Sequence, residues 1–416
     1  MRRVWGLVCG ALLVGAGVAQ AENVTLTVWD SDGGGNVQSW YEQVLIPQFE
    51  AAHPGVTVEF VHTPWGQGLT DKLVTSYAAG VGPDIVYGGA EFIDGYVMNG
   101  YVLPLDDYTK DWPRLHDFIP VMLGDATYQG RLYGLPTHLD FRTFLYNKQV
   151  FADGGLDPDS PPTTWQQVAD AAKRLTKLSA DGKIERAGID KPSGYTQFTT
   201  MVWDEGGSMF NADKTQATFD STAGIEGLSF WVDLDQSLFG TQKPPTDFAG
   251  GKQAMRFEGG PQGPAGTLAG AGQRPEDVMG MPPPPTAVKG FARVHSNWMA
   301  IGSQSKHPDL AWAFLAMQYE PKYYNDLMQI SNGLPQTFDA LNTDYIRQTP
   351  WKMQALNIAA QYGRAEWTAR NFRDLRNALD PYLAKAWSGE MPVSSALHGA
   401  VAQWNGLLAE ANGTKD

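Results

Sequence analysis

The feature that most constrains this chain is an alternation of two periodicities over residues 24–100. Residues 24–29 alternate and are rich in β-branched side chains, which reads as a strand. Val37, Trp40, Val44, Phe49 and Ala52 then recur near helical spacing until His53-Pro54-Gly55 ends the helix. A strand over 56–61 follows, then a helix over 67–79 with Leu69, Leu73 and Tyr77 on one face. Gly82-Pro83 breaks it ahead of a short buried-type strand over 84–87 and a further helix over 91–100. Strand, helix, strand, helix, strand is the βαβ pattern. It dictates an α/β fold, a parallel-rich sheet flanked by helices.

An open sheet of this kind binds ligands beyond the carboxyl ends of its strands. Three loops leave such ends, at 30–36, 63–68 and 88–91, so Asp30, Asp32, Trp65 and Glu91 are predicted to converge on one mouth. The run Asp30-Ser31-Asp32-Gly33-Gly34-Gly35 copies the opening of a calcium loop, with acids at positions one and three and glycine at six. Its fifth position is Gly34 and its twelfth is Tyr41, where calcium would need an oxygen ligand and a bidentate glutamate. A phosphate at the start of the next helix would be repelled by the same two acids. The acids could simply cap that helix. Convergence with Glu91 favours ligand binding instead.

A second alternation begins with a strand at 142–146, and Thr163-Thr164 caps a helix carrying Trp165, Val168, Ala172, Leu175 and Leu178. Helices at 195–205 and 222–236, strands at 253–257 and 297–301, and a helix opening on Pro308 continue it. Residues 259–290, rich in glycine and proline, are expected to be an irregular surface connection. The last third, from Pro335, reads as helix after helix.

The first residues carry a different signature. Arg2 and Arg3, an apolar run over 4–18 and Ala19-Gln20-Ala21 make a secretory leader at 1–21, its apolar part too short for a membrane span. The only cysteine, Cys9, lies inside it, and the preceding Leu7-Val8 do not make a lipoprotein box. The expected product starts at Glu22 and is periplasmic and soluble, with no lipid anchor, thiol or disulfide. Such a chain must depend on a large core, and 416 residues permit two domains. Once Arg2 and Arg3 leave with the leader, 29 of the 31 basic residues remain against 45 acids, a formal charge of −16. That balance is a poor match to nucleic acid or an anionic membrane and suits a neutral or cationic ligand.

No histidine pair has metal-ligand spacing, and neither a Gly-x-Ser-x-Gly elbow nor a Walker A loop occurs, so no metal or cofactor is expected. What remains is carboxylates beside aromatics. A carboxylate can accept from two hydroxyls, each such bond contributing about 1.5–3 kcal/mol, while a tryptophan face covers the apolar C–H side of a pyranose. The same pairing would serve a glycosidase, whose two carboxylates flank the bond it cleaves.

Six segments in order resemble family-one extracellular solute-binding proteins, the maltose-binding-protein-like receptors of bacterial ABC importers. They are "FEAAHPGVTVEF" from Phe49, "GVGPDIVYGGAEFIDGYVMNGYVLPLDDY" from Gly80, "YQGRLYGLPTHLDFRTFLYNKQVF" from Tyr128, "PPTTWQQVADAAKRLT" from Pro161, "FAGGKQAMRFEGG" from Phe248 and "NGLPQT" from Asn332. The resemblance covers essentially the whole chain after the leader. It implies two α/β lobes joined by a hinge, with crossings near 136–140, 290–294 and 332–336. Lobe one would then hold 22–137 and 295–331, and lobe two 138–294 and 332–416. It implies a non-enzymatic, monomeric carbohydrate receptor that closes around a sugar or oligosaccharide and delivers it to permease subunits in the membrane.

Position by position, Glu91 and Asp140 fall where the resemblance places sugar-binding acids, and Asp30 and Asp32 in its first-loop contact region. Trp298 falls where many members present an aromatic, and Trp367 and Arg370 in a segment that often supplies second-lobe contacts. Tyr195 and Arg142 could reach the cleft, though Arg142 could equally neutralise Asp140. Two departures count against malto-oligosaccharide specificity. Gly88-Gly89 stands where an aromatic is found, and Gly259-Gly260-Pro261-Gln262 lacks the usual tryptophan. Within the fold the alternative is a receptor for glycerol-phosphate or another small polar solute; outside it, a secreted glycosidase.

Overall fold

A computed structural model describes residues 23–31, 35–63, 67–365, 367–369 and 371–413. The βαβ start forms as its periodicities dictate. Strands Val24–Asp30, Val56–His62 and Ile85–Gly88 run parallel with the first in the middle, paired in register from Val24↔Val56 to Asp30↔His62. The helical stretch after the first strand runs through Gly35–Trp40, a wider turn Tyr41–Leu45, and Ile46–Ala52. Pro47, which has no N–H to give the preceding turn, stands two residues after the end of the widened segment.

Two long strands tie the molecule together. Leu135–Asn147 and Ala292–Ile301 run antiparallel to each other. The far end of the returning strand pairs with the first lobe, from Trp298↔Gly88 to Ile301↔Ile85. The far end of the outgoing strand pairs with Met255–Gly259 and Met279–Gly280 in the second lobe. One eight-stranded sheet therefore runs through both lobes. The apolar patterns at 142–146 and 297–301 mark only the far ends of these strands. Their other halves hold Pro136, His138 and Asp140, and Arg293 and His295, which interrupt the pattern.

Three apolar cores follow. The first packs the βαβ strands and helices with Trp298, Phe314 and Tyr319. The second gathers Phe144, Trp165, Phe198, Trp231, Trp367 and Trp404. A smaller one lies at the crossing, with Leu139, Phe141, Val294, Leu334 and Trp351. Each large side chain buried this way contributes about 1.5–3 kcal/mol, which is how a fold of this size holds without cross-links.

Residues 259–290 are less irregular than their composition suggests. Helices Gln262–Gly270 and Pro275–Val278 form there. Burial of Ala265 and Leu268, three residues apart on one face, outweighs the poor helix propensity of Gly263 and Gly266. The last third is helical through Pro350–Tyr362, Phe372–Trp387 and Val393–Gly413, interrupted by the strand Gly363–Ala365 beside the returning strand. Among the described residues no helix is long and apolar enough to cross a membrane.

Candidate functional site at the strand crossing

Where the two long strands pair, Asp140 lies opposite His295 and Arg142 opposite Arg293. Residues two apart on a strand share a face, so these four form a square of polar and charged side chains at the crossing. Arg142 grips Asp140 twice, donating from Nε to Oδ1 at 2.6 Å and from Nη2 to Oδ2 at 2.9 Å. His295 Nε2 lies 3.5 Å from Asp140 Oδ2. Arg293 donates from Nε to Glu258 Oε1 at 2.6 Å, and its Nη1 is 2.9 Å from His295 Nδ1. Glu258 comes from the second-lobe strand Met255–Gly259, so that lobe is wired directly to both crossing strands.

The electrostatics follow from burial and neighbours. Burial pushes His295 down to about 3; Asp140 opposes this, while Arg293 and Arg142 reinforce it. The ring is therefore neutral at pH 7. Because Arg293 donates to Nδ1, the ring proton is assigned to Nε2, facing Asp140. Burial also works against the Asp140 carboxylate. His295, the Arg142 pair and Arg293 outweigh it and hold Asp140 well below the usual carboxylate range.

The first lobe contributes Glu91, buried in the turn Ala90–Phe92 just beyond Ile85–Gly88. Burial raises its pKa; a backbone N–H, Arg293 and Arg376 pull it back, and Asp140 adds to the rise. Arg376, from the second lobe, sits 4.7 Å over the ring of Tyr195. The lobes also touch outside this centre. Arg373 donates from Nη2 to Asp71 at 2.8 Å, and Phe92 meets Phe372 edge-on at 5.7 Å. One cavity opens on the square and another on Glu91. One of about 340 Å³ lies between the lobes and is lined by Glu91, Phe92, Phe372 and Arg373. The other, of about 520 Å³, lies at the strand crossing and is lined by Asp140, Arg142, Asp190, Arg256 and Glu258, with His138 and Ser331.

Of the residues singled out in the sequence, Glu91 and Asp140 are brought together, and Arg142 neutralises Asp140. Asp30 is fully buried, its Oδ2 3.6 Å from Nδ1 of its register partner His62. Asp32, Trp65 and Arg370 lie outside the described residues. Trp298 needs correction: it is completely buried in the first core, with Tyr96 edge-on at 5.2 Å. A Cβ on Gly88 would lie 2.2 Å from its ring. The glycine that replaces an aromatic thus opens the slot that the tryptophan fills. Trp367 is likewise core, 4.6 Å from Phe372 and 5.3 Å from Trp404, its Nε1 donating to Thr199 Oγ1 at 3.1 Å. Arg293, His295 and Arg376 were not singled out from the sequence, nor was Glu258 as a site residue. The Arg-x-His alternation in a strand of apolar residues was the available signal.

Comparison with known proteins identifies the family. Residues 34–325, more than half of the chain, match the family of bacterial extracellular solute-binding proteins. A binding protein of Brucella abortus is 28% identical over 360 residues, spanning 82% of this chain and 84% of its own length. The maltotriose-binding protein of Pyrococcus abyssi is 24% identical over 342 residues, 76% of this chain and 70% of its own. An ABC substrate-binding protein of Listeria monocytogenes, solved in complex with cycloalternan, shares the fold. Its TM-score is 0.79 at 19% identity, over 95% of this chain and 100% of that one. By its fold and by this match, the chain belongs to the bacterial extracellular solute-binding proteins.

Proposed function

We propose that this protein is a periplasmic carbohydrate receptor, a monomer that closes around a sugar or oligosaccharide and delivers it to an ABC importer without turning it over. The observation that supports this most is the pair of acids Asp140 and Glu258, from two different strands, each held by an arginine at the crossing, with Glu91 in the field of Asp140 and Arg293. Asp140 and Glu258 are held by arginines, so they stay acceptors without leaving the site strongly anionic. Sugar hydroxyls supply the matching donors. Arg142 and Arg293 are engaged by those acids, which disfavours a phosphate ligand. The relatives named for maltotriose and cycloalternan fit the same ligand class.

On this reading the lobes divide as the resemblance implies, 22–137 with 295–331 and 138–294 with 332–416, and the leader is cut after Ala21 without acylation. The intact mass of the exported protein tests the leader. A thermal-shift screen against saccharides tests the function. A sugar at 100 times its Kd stabilises by about 2.7 kcal/mol. A shift with sn-glycerol 3-phosphate and none with any saccharide would overturn the reading, as would hydrolysis of chromogenic glycosides.

A further inference from the structure

We propose that the mouth between the lobes carries an electrostatic latch, acids on the first lobe facing cations on the second, that draws the lobes shut. The proposal rests on the receptor reading above. It gives part of the solute affinity to residues that need not touch the solute.

The latch has one direct contact. Arg373, in the second-lobe helix Phe372–Trp387, donates from Nη2 to Oδ1 of Asp71, in the first-lobe helix Gln67–Ala78, at 2.8 Å. The two residues are 302 positions apart, so their meeting depends on how the lobes approach. Beside them Phe372 meets Phe92 edge-on, and Phe92 packs against both the first core and the second. That apolar seat sets the separation at which the charges meet.

The same division of charge recurs over residues 91–94. Lys214 donates from Nζ to the Thr368 carbonyl at 3.2 Å, both within the second lobe. Burial raises the carboxyl of Asp94 in the first lobe, and Lys214 and Thr368 pull it back. Glu91 lies in the field of Arg376, which also has Asp380 at 3.7 Å on its own helix. Three first-lobe acids thus stand toward three second-lobe cations.

An exposed pair makes a weak lock, which suits a mouth that must open again. The Arg373 side chain is 31% exposed and that of Asp71 58%. A contact made in only one of two states shifts the equilibrium toward that state. A pair this exposed shifts it by up to about fivefold, and salt screens it, the Debye length falling from about 30 Å at 0.01 M to about 3 Å at 1 M. A neutral sugar forms no ionic bond of its own, so salt would reach its affinity through closure. The net negative charge of the whole chain pushes the lobes apart at low salt and acts in the opposite sense. Paired variants separate the two.

The test is a double-mutant cycle of the native protein, Asp71→Asn, Arg373→Gln and the two together, with the reversal Asp71→Arg plus Arg373→Asp as rescue. X-ray scattering without solute reads closure; calorimetry with maltose, mannobiose and maltotriose reads affinity. At 0.01 M NaCl each single variant should have a larger radius of gyration than the native protein, and the reversal should restore the native value. In sugar Kd, Asp71 and Arg373 should couple by about two- to fivefold at 0.01 M and not at 1 M. Single variants as compact as the native protein at 0.01 M overturn the latch, even if they bind sugar less well. So does a coupling that salt leaves unchanged, or a reversal that rescues nothing. If the native protein binds none of these sugars, the carbohydrate reading falls, while the scattering still decides the latch.

Discussion

The two halves of the returning strand do different work. In the first half, Arg293 and His295 project from one face toward Glu258 and Asp140. In the second, Trp298, Met299, Ala300 and Ile301 are all completely buried, and they pair with Ile85–Gly88 in the first lobe. Between the halves the pairing with the outgoing strand slips, from Ser296↔Leu139 to Trp298↔Pro136. Such irregularities bend a strand and re-aim its side chains. Trp298 also stands three residues from His295, an odd offset that puts it on the opposite face of a regular strand. An aromatic beside a site is therefore not an aromatic in it. The site is built from residues that interrupt an apolar strand, and the core from residues that continue it.

The sharpest way to break that comparison is Trp298→Ala. A fully buried tryptophan replaced by alanine should cost about 3–5 kcal/mol of stability, read by chemical denaturation. Gly88→Ala should destabilise too, since its Cβ would come within 2.2 Å of the indole ring. If Trp298→Ala kept its denaturation midpoint and lost sugar affinity, the second half of the strand would belong to the site after all.

The βαβ start was legible in the sequence because strand and helix periods there are clean, and the described residues between 24 and 100 fold accordingly. Glu91 was legible because it follows the carboxyl end of a strand, a position fixed by topology. Asp140 came from the family resemblance, not from the residue pattern. Its partners Arg293 and His295 lie more than 150 positions along the chain, and only β-pairing register sets them opposite. That register depends on a slip no local period reveals. Trp298 was misplaced because the resemblance gives its position on the returning strand and not the face it occupies. Trp367 was misplaced because its packing against Phe210 and Trp404 is set by tertiary contacts.

A smaller effect is expected on the other half of the comparison. Asp140→Ala should weaken sugar binding by about 10–100-fold, the equivalent of one hydrogen bond to a charged acceptor. Its stability loss should stay below that of Trp298→Ala, because the Arg142 side chain is 39% exposed and can turn to water. The sign of the pH dependence is fixed as well. Asp140 is held below its unfolded pKa of about 3.9, so its contribution is present above that pH and lost as pH falls below it. The variant should show a flatter acid limb in its melting temperature. Unchanged affinity together with a large stability loss would make Asp140 structural.

The smallest effect probes the junction between the two halves. Asp125 Oδ2 accepts from the backbone N–H of Ser296 at 2.7 Å, at the slip in register. Burial raises its pKa to about 7; the Ser296 N–H works against the rise and Glu91 adds to it. The unfolded carboxyl ionises near about 3.9. Between those values the folded chain holds one more proton than the unfolded chain, so this group lowers stability as pH rises from about 4 to about 7. His295, held down at about 3, acts in the opposite sense from about 3 to about 6.5. The native melting curve alone therefore mixes the two. Asp125→Asn isolates one, because its amide oxygen still accepts from Ser296 and no longer ionises. Relative to the native protein, the variant should gain melting temperature steadily from pH 4 to pH 7, by a few degrees at most. A constant difference across that range would mean that Asp125 carries no proton at the junction.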